Sequence, residues 1–162
     1  MGDACVFEFM SEPSYGRVGQ SGGRSLSVFA DGRIVRRRFY FDYDEPELAN
    51  EELLATVPEL ADAVMEIVRR HSPRLEPVPE YLDDGSFDGS YYVFRFGGKR
   101  IRALNIHRPR PRAPWMNPLD EQDSLREIFT YQNLVLDAYD EIAAKIRSYG
   151  IPSTEKDLPD FS

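Results

Sequence analysis

Two glycine turns constrain this chain more than any other feature. Asp31-Gly32 and Gly97-Gly98 each lie between runs in which apolar and polar residues alternate. Alternation on both sides of a two-residue turn is the mark of a β-hairpin. The first hairpin is expected to run out over Ser25 to Ala30 and back over Arg33 to Phe41, through a type I′ turn at Asp31-Gly32. On the returning strand Val35, Phe39 and Phe41 share a face with Arg37, and Ile34, Arg36, Arg38 and Tyr40 share the other. The second hairpin runs over Tyr91 to Phe96, with Tyr92, Phe94 and Phe96 on one face, and returns over Lys99 to Ile106. Its returning strand sets Arg100 and Arg102 opposite Ile101 and Ala103. Leu104 and Ile106 fall out of that phase, which predicts a bulge or burial on both faces near the strand end. A further strand is expected at Cys5 to Met10, where Cys5, Phe7 and Phe9 alternate with Glu8.

Between the hairpins the apolar period changes to that of a helix. Leu60, Ala61, Val64, Ile67 and Val68 form a stripe over Pro58 to Arg70. Proline opens this helix, where its missing N–H does no harm, and Arg69 and Arg70 suit the negative end of the dipole. A short acidic helical piece is expected just before it, from Pro46 or Asn50 to Ala55. Ser72 to Gly89 reads as a proline-containing connection, and Arg108 to Pro118 as an extended, proline-rich one. The last element is a long helix capped at Asp120 and ending near Tyr149, followed by Gly150 and Pro152 as a stop. Its stripe includes Leu125, Ile128, Gln132, Val135, Leu136, Tyr139, Ile142 and Ile146.

Strand, hairpin, helix, hairpin, helix is the order of an α+β protein. The expected architecture is a mostly antiparallel sheet of about five strands built from two hairpins. A mid-chain helix and the long C-terminal helix pack on one face. Residues 1–150 are read as a single domain and 151–162 as an acidic, flexible tail.

The sequence narrows function chiefly by exclusion. The 162 residues carry a net charge of −8, which argues against a general nucleic-acid coat. One cysteine, Cys5, and two histidines, His71 and His107, leave little from which to build a disulfide framework or a soft-ligand metal site. No metal and no cofactor is expected. No apolar run is long enough to span a bilayer, and residues 1–6 lack a basic region followed by an apolar stretch. A cytoplasmic location without membrane association is the resulting expectation.

Four features invite a chemical reading. The first is basic: between Gly89 and Leu119 there is no Asp or Glu, against Arg95, Lys99, Arg100, Arg102, Arg108, Arg110 and Arg112. Arg33, Arg36, Arg37 and Arg38 add a second cluster. If both hairpins join one sheet, Arg36, Arg38, Arg100 and Arg102 could clamp a phosphate or carboxylate between sheet and helix. Internal balance against acidic elements is the simpler account. The second is Arg108-Pro109-Arg110-Pro111-Arg112-Ala113-Pro114-Trp115, which has the Arg-x-x-Pro-x-x-Pro spacing of an SH3 ligand, with Trp115 as an anchor. A structural linker explains it more simply. The third is Asp84-x-Ser86-x-Asp88-Gly89, which offers alternating oxygens without the closing Glu of a calcium loop. The fourth is the glycine-rich stretch from Ser11 to Arg24, which lacks the Lys-Ser/Thr ending of a phosphate loop. No catalytic group emerges, because nothing in the sequence brings either histidine near Cys5 or a serine.

These readings favour a small binding protein over an enzyme. The binding candidates are Arg36, Arg38, Arg100, Arg102, Arg108 and Trp115, on a sheet face or in the proline-rich segment. An acidic helix surface with Glu47, Glu51, Glu52 and Glu59 is the other candidate, suited to a basic protein partner. The alternative is an enzyme or ligand-binding domain with an arginine-lined anion site. A homodimer through a sheet edge is a further expectation, and nucleic acid is disfavoured by the charge.

Overall fold

The computed structural model describes residues 4–13, 22–42, 45–83, 90–108 and 123–161. In chain order these form β1 (Cys5–Pro13), β2 (Gly22–Phe29), β3 (Arg33–Asp42), β4 (Glu45–Thr56), α1 (Pro58–Leu75), β5 (Tyr81–Asp83), β6 (Ser90–Phe96), β7 (Lys99–Leu104) and α2 (Asp123–Ser148). The strands make one seven-stranded sheet in the order β4-β3-β2-β1-β6-β7-β5. Every pairing is antiparallel except that of β5 with β7. The α+β class and the two hairpins stand, and β1 joins the hairpins into one layer.

Alternation sorts each strand into two faces. Phe7 and Phe9 of β1, Leu26 and Val28 of β2, Ile34 of β3, Phe94 and Phe96 of β6, and Ile101 and Ala103 of β7 are cross-strand neighbours on one face. They form a single buried cluster with Leu60, Val64 and Ile67 of α1 and Leu136, Tyr139, Ile142 and Ile146 of α2. Both helices therefore roof the same face, as the apolar stripes require. Each large side chain buried there contributes about 1.5–3 kcal/mol.

Two strands more than expected are present. Residues 45–56, read as a helical piece, are a twelve-residue edge strand. Its Glu, Leu and Ala residues have good helix propensity, but tertiary pairing overrides it. Glu52 lies across from Arg36 and Glu51 across from Arg37, so the arginines of β3 select an acidic neighbour strand. Two register shifts between β3 and β4 also break the period-two pattern. The other additional strand, β5, has only three residues, too few to show a period.

Other boundaries moved for identifiable reasons. Helix α1 continues to Leu75 rather than stopping at Arg70, with Pro73 inside its last turn. There the ring forfeits one backbone bond while Leu75, 1% exposed, gains a place in the core. The phase change after Ala103 is burial on both faces, as expected: Ala103 and Leu104, the last two residues of β7, are both buried, and Asn105 just beyond takes a positive φ of 53°. The expected cap at Asp120 lies outside the described residues.

The first turn also differs from its expected type. Ala30-Asp31-Gly32 forms a three-residue loop, closed by the Gly32 N–H donating to the Phe29 carbonyl at 2.9 Å. Gly32 has φ 96°, whereas Asn105 is the one described non-glycine residue with positive φ. Asp31 thus cannot be the first position of a type I′ turn. Its carboxylate instead accepts the Arg33 N–H at 3.1 Å and the Arg33 Nε–H at 2.7 Å. A Cβ on Gly32 would lie 2.5 Å from the backbone nitrogen of Pro58. Gly32→Ala is therefore expected to destabilise the protein by about 1–3 kcal/mol, read as a lower urea midpoint with an unchanged slope.

Residues 151–161 do not form the free acidic tail that their composition suggests. Ile151, Asp157 and Leu158 are buried. Tyr139 donates its hydroxyl to the Pro159 carbonyl at 2.6 Å, and the ring of Phe161 packs against Phe9, Tyr92, Phe94 and Tyr139. Ile151, Leu158 and Phe161 anchor this short segment to the core despite its charge.

Candidate functional site

The arginines singled out in the sequence do not converge. Arg36 is the cross-strand neighbour of Leu26, which faces the helices, and Arg38 lies on the same face as Arg36. Arg100 pairs with Arg95, and Arg102 with Val93, on the opposite side of the sheet. The parity is visible in the sequence: Arg36 is in phase with the core residue Ile34, whereas Arg100 and Arg102 are out of phase with Ile101. An anion clamp built from all four is incompatible with this arrangement.

Arg36 has a structural occupation. Its Nε and Nη2 donate to the two carboxylate oxygens of Asp157 at 3.0 and 2.8 Å. Nη2 also reaches the Pro152 carbonyl at 2.8 Å, and Nη1 reaches Glu52 at 3.1 Å. The Asp157 side chain is fully buried, and Arg24 adds a second cation at 3.6 Å. The Thr154 N–H and hydroxyl donate to the same carboxylate at 2.8 and 3.1 Å. Burial works to raise the Asp157 carboxyl's pKa, but the Arg36 and Thr154 hydrogen bonds outweigh it and hold it below the usual range. This bidentate fork pins residues 151–161 to β3.

The other candidates are also accounted for. Arg108 donates to Asp137 and Asp140 of α2 at 2.8 Å each. Arg38 and Arg100 are exposed and make no ion pair among the described residues. Trp115 and the rest of the Arg-x-x-Pro-x-x-Pro segment beyond Arg108 lie outside the described residues, as do Asp84, Ser86, Asp88 and residues 14–21 of the glycine-rich stretch. Glu51 and Glu52, expected on an acidic helix, are on strand β4, ion-paired with Arg37 at 2.9 Å and Arg36 at 3.1 Å.

Cys5, His71 and His107 form no nucleophile–base pair with one another or with a serine. The Cys5 thiol donates to the Phe7 carbonyl at 3.3 Å. Burial, then the Glu8 carboxylate, pushes its pKa up to about 11, the reverse of activation. His71 contacts Glu141 of α2 at 3.1 Å, while His107 contacts the Asn105 carbonyl at 2.8 Å. Among the described residues no group of three or more His, Cys, Asp or Glu is placed to hold a metal. No described helix is long and apolar enough to cross a membrane.

What remains is the sheet face away from the helices. Among the described residues no helix or strand covers it. By register it carries Arg37, Arg95, Arg100 and Arg102, matched by Glu8, Glu12, Glu51 and Asp83. Phe29, Phe39, Tyr81 and Tyr91 stand among them. Arg33 and Arg37 lie over the Phe29 ring at 4.7 and 5.5 Å. Arg102 lies 3.9 Å from the centre of the Tyr91 ring and donates to Glu12 at 2.7 Å. The Tyr81 and Tyr91 rings lie with centroids 6.5 Å apart, and the nearby Tyr91 hydroxyl, with some desolvation, pushes the Tyr81 phenol up to about 12.

The sheet's edges are less inviting. β5 is three residues long, and β4 is acidic and twice shifted in register. Both devices protect edges from pairing with another chain. Among the described residues, cavities of about 360 and 400 Å³ lie along residues 151–160, and one of about 500 Å³ lies between β5 and α2. None of the three is lined by Arg36, Arg38, Arg100 or Arg102.

No family model matches the chain, and no curated protein matches it in sequence.

Proposed function

We propose that this protein is a non-enzymatic binding module that receives a protein partner on the open face of its sheet. The observation that carries this reading is the composition of that face, where arginines alternate with Phe39, Tyr81 and Tyr91 and cover a buried Phe29. Arginine and aromatic residues are enriched in protein interfaces and supply most of their binding energy. Charge supports a protein rather than a polyanion, because Arg33, Arg37, Arg95, Arg100 and Arg102 on this side meet Asp31, Glu8, Glu12, Glu51 and Asp83. An arginine-lined anion site, the competing reading, loses support because Arg36 is already held by Asp157.

The test places a photo-crosslinking amino acid at position 100, with the same group at the exposed Lys145 of α2 as control. A discrete protein adduct from position 100 alone is expected on irradiation in extract. The purified partner should then bind the wild type, and about tenfold more weakly the Tyr91→Ala variant. No adduct, equal adducts from both positions, or an adduct with nucleic acid would reject the reading.

A further inference from the structure

A second surface, which shares Tyr81 and Asp83 with the edge of the open face, has the chemistry of a peptide groove. The cavity of about 500 Å³ between β5 and α2 is lined by Pro77, Pro79, Tyr81, Leu82, Ile128 and Tyr131, with Glu127 and Asp83 as its acidic members. Four of these six apolar lining residues carry rings, beside Leu82 and Ile128. Prolines in a polyproline II helix recur every third residue and stack on such rings at little entropic cost.

Both tyrosine walls are held in place before anything binds. The Tyr131 hydroxyl donates to Glu127 Oε1 at 2.8 Å. The Tyr81 ring lies against that of Tyr91, with centroids 6.5 Å apart. Ring faces already held by a hydrogen bond or a neighbouring ring lose little freedom on binding, so the groove is preorganised. Tyr81 is also 44% exposed, so its ring is accessible.

The polar groups choose the occupant. Glu127 and Asp83 give the groove a negative margin, and Glu76 and Glu80 are exposed on the segment leading into it. No basic residue lines it. We infer that this groove binds an extended proline-rich segment of another protein that carries an arginine, with the prolines on Tyr81 and Tyr131 and the guanidinium at Glu127. A carboxylate has lone pairs enough to accept a guanidinium while still holding the Tyr131 hydroxyl.

Fluorescence anisotropy with a labelled synthetic Arg-x-x-Pro-x-x-Pro peptide tests this. Saturable binding is expected, weakened about tenfold by Tyr131→Ala and about three- to fivefold by Glu127→Gln or by added salt. The Glu127→Gln arm concerns an exposed side chain, so it still decides if Tyr131→Ala fails to fold. Replacing the peptide's prolines with alanine should abolish binding. Absence of saturable binding, equal binding of the alanine peptide, or insensitivity to both variants overturns the inference. Loss of binding on Arg100→Glu with none on Glu127→Gln would also overturn it, by moving the peptide to the open sheet face. Failure here leaves the crosslinking result at position 100 unaffected, so the two proposals fail separately.

Discussion

Phe94→Ala is expected to destabilise the protein by about 3–5 kcal/mol and lower its melting temperature by about 10 °C. Phe94 is fully buried and is a shared neighbour of several rings. Its centroid lies 5.3 Å from Phe9, 5.6 Å from Tyr139, 6.1 Å from Phe161 and 6.2 Å from Phe96. The first two are edge contacts, the arrangement the ring quadrupoles prefer. Truncation would leave a dry cavity at the join of the two halves of the sheet, and the surrounding β-ladder could relax only in part. Phe94→Leu, which keeps most of the volume, should cost far less. Because Phe161 rests on the same ring, Phe94→Ala should also make residues 151–161 more readily cut by protease. A melting temperature within a degree or two of wild type would show that the cluster is not the keystone described above.

Asp157→Ala is expected to cost about 3 kcal/mol, at the low end for a broken buried pair. It removes the anion that Arg36 grips with both arms and that Arg24 faces. Glu52 and the Pro152 carbonyl still hold Arg36, which limits the loss. The pH dependence has a definite sign. The folded pKa of Asp157 is depressed, so its contribution is complete above the unfolded value of about 3.9. It disappears as pH falls through the lower folded value. The stability difference between wild type and Asp157→Asn should therefore be constant near neutrality and shrink in acid. A difference that grows on acidification, or one absent at neutral pH, would show that the carboxylate does not anchor the segment. Urea unfolding at a series of pH values measures both.

Local chemistry was legible in the sequence, and distant pairing was not. The two hairpins, the stripe of α1 and the stripe and stop of α2 follow from spacing over a few residues. Strand β4 was hidden because its identity depends on Arg36 and Arg37, which come earlier in the chain and reward Glu51 and Glu52 for lying opposite them. Residues 151–161 were hidden for the same reason: Asp157 finds its partner on β3, and Phe161 finds Phe9 and Phe94. Composition alone makes that segment look solvated. The candidate site fared worse than the fold. Arg36 and Arg102 look alike in the sequence, yet one closes the core and the other stacks on an outward tyrosine. The phase of each arginine against its neighbouring isoleucine would have separated them. The β5–α2 groove had no local signal, since its walls come from two distant stretches of chain, residues 77–83 and 127–131.

The strand order carries a consequence for assembly. β1, the earliest strand, lies mid-sheet, with β2 on one flank and β6 on the other. Phe9 meets Leu26 across the first flank but waits for Phe94 across the second. A chain emerging from the ribosome can zip β1 through β4 as a meander of neighbours, whereas the remaining flank closes only after a loop of some eighty residues. Until then the rings of Phe7 and Phe9 have half a wall, and the nascent protein presents a raw seam that a chaperone would recognise.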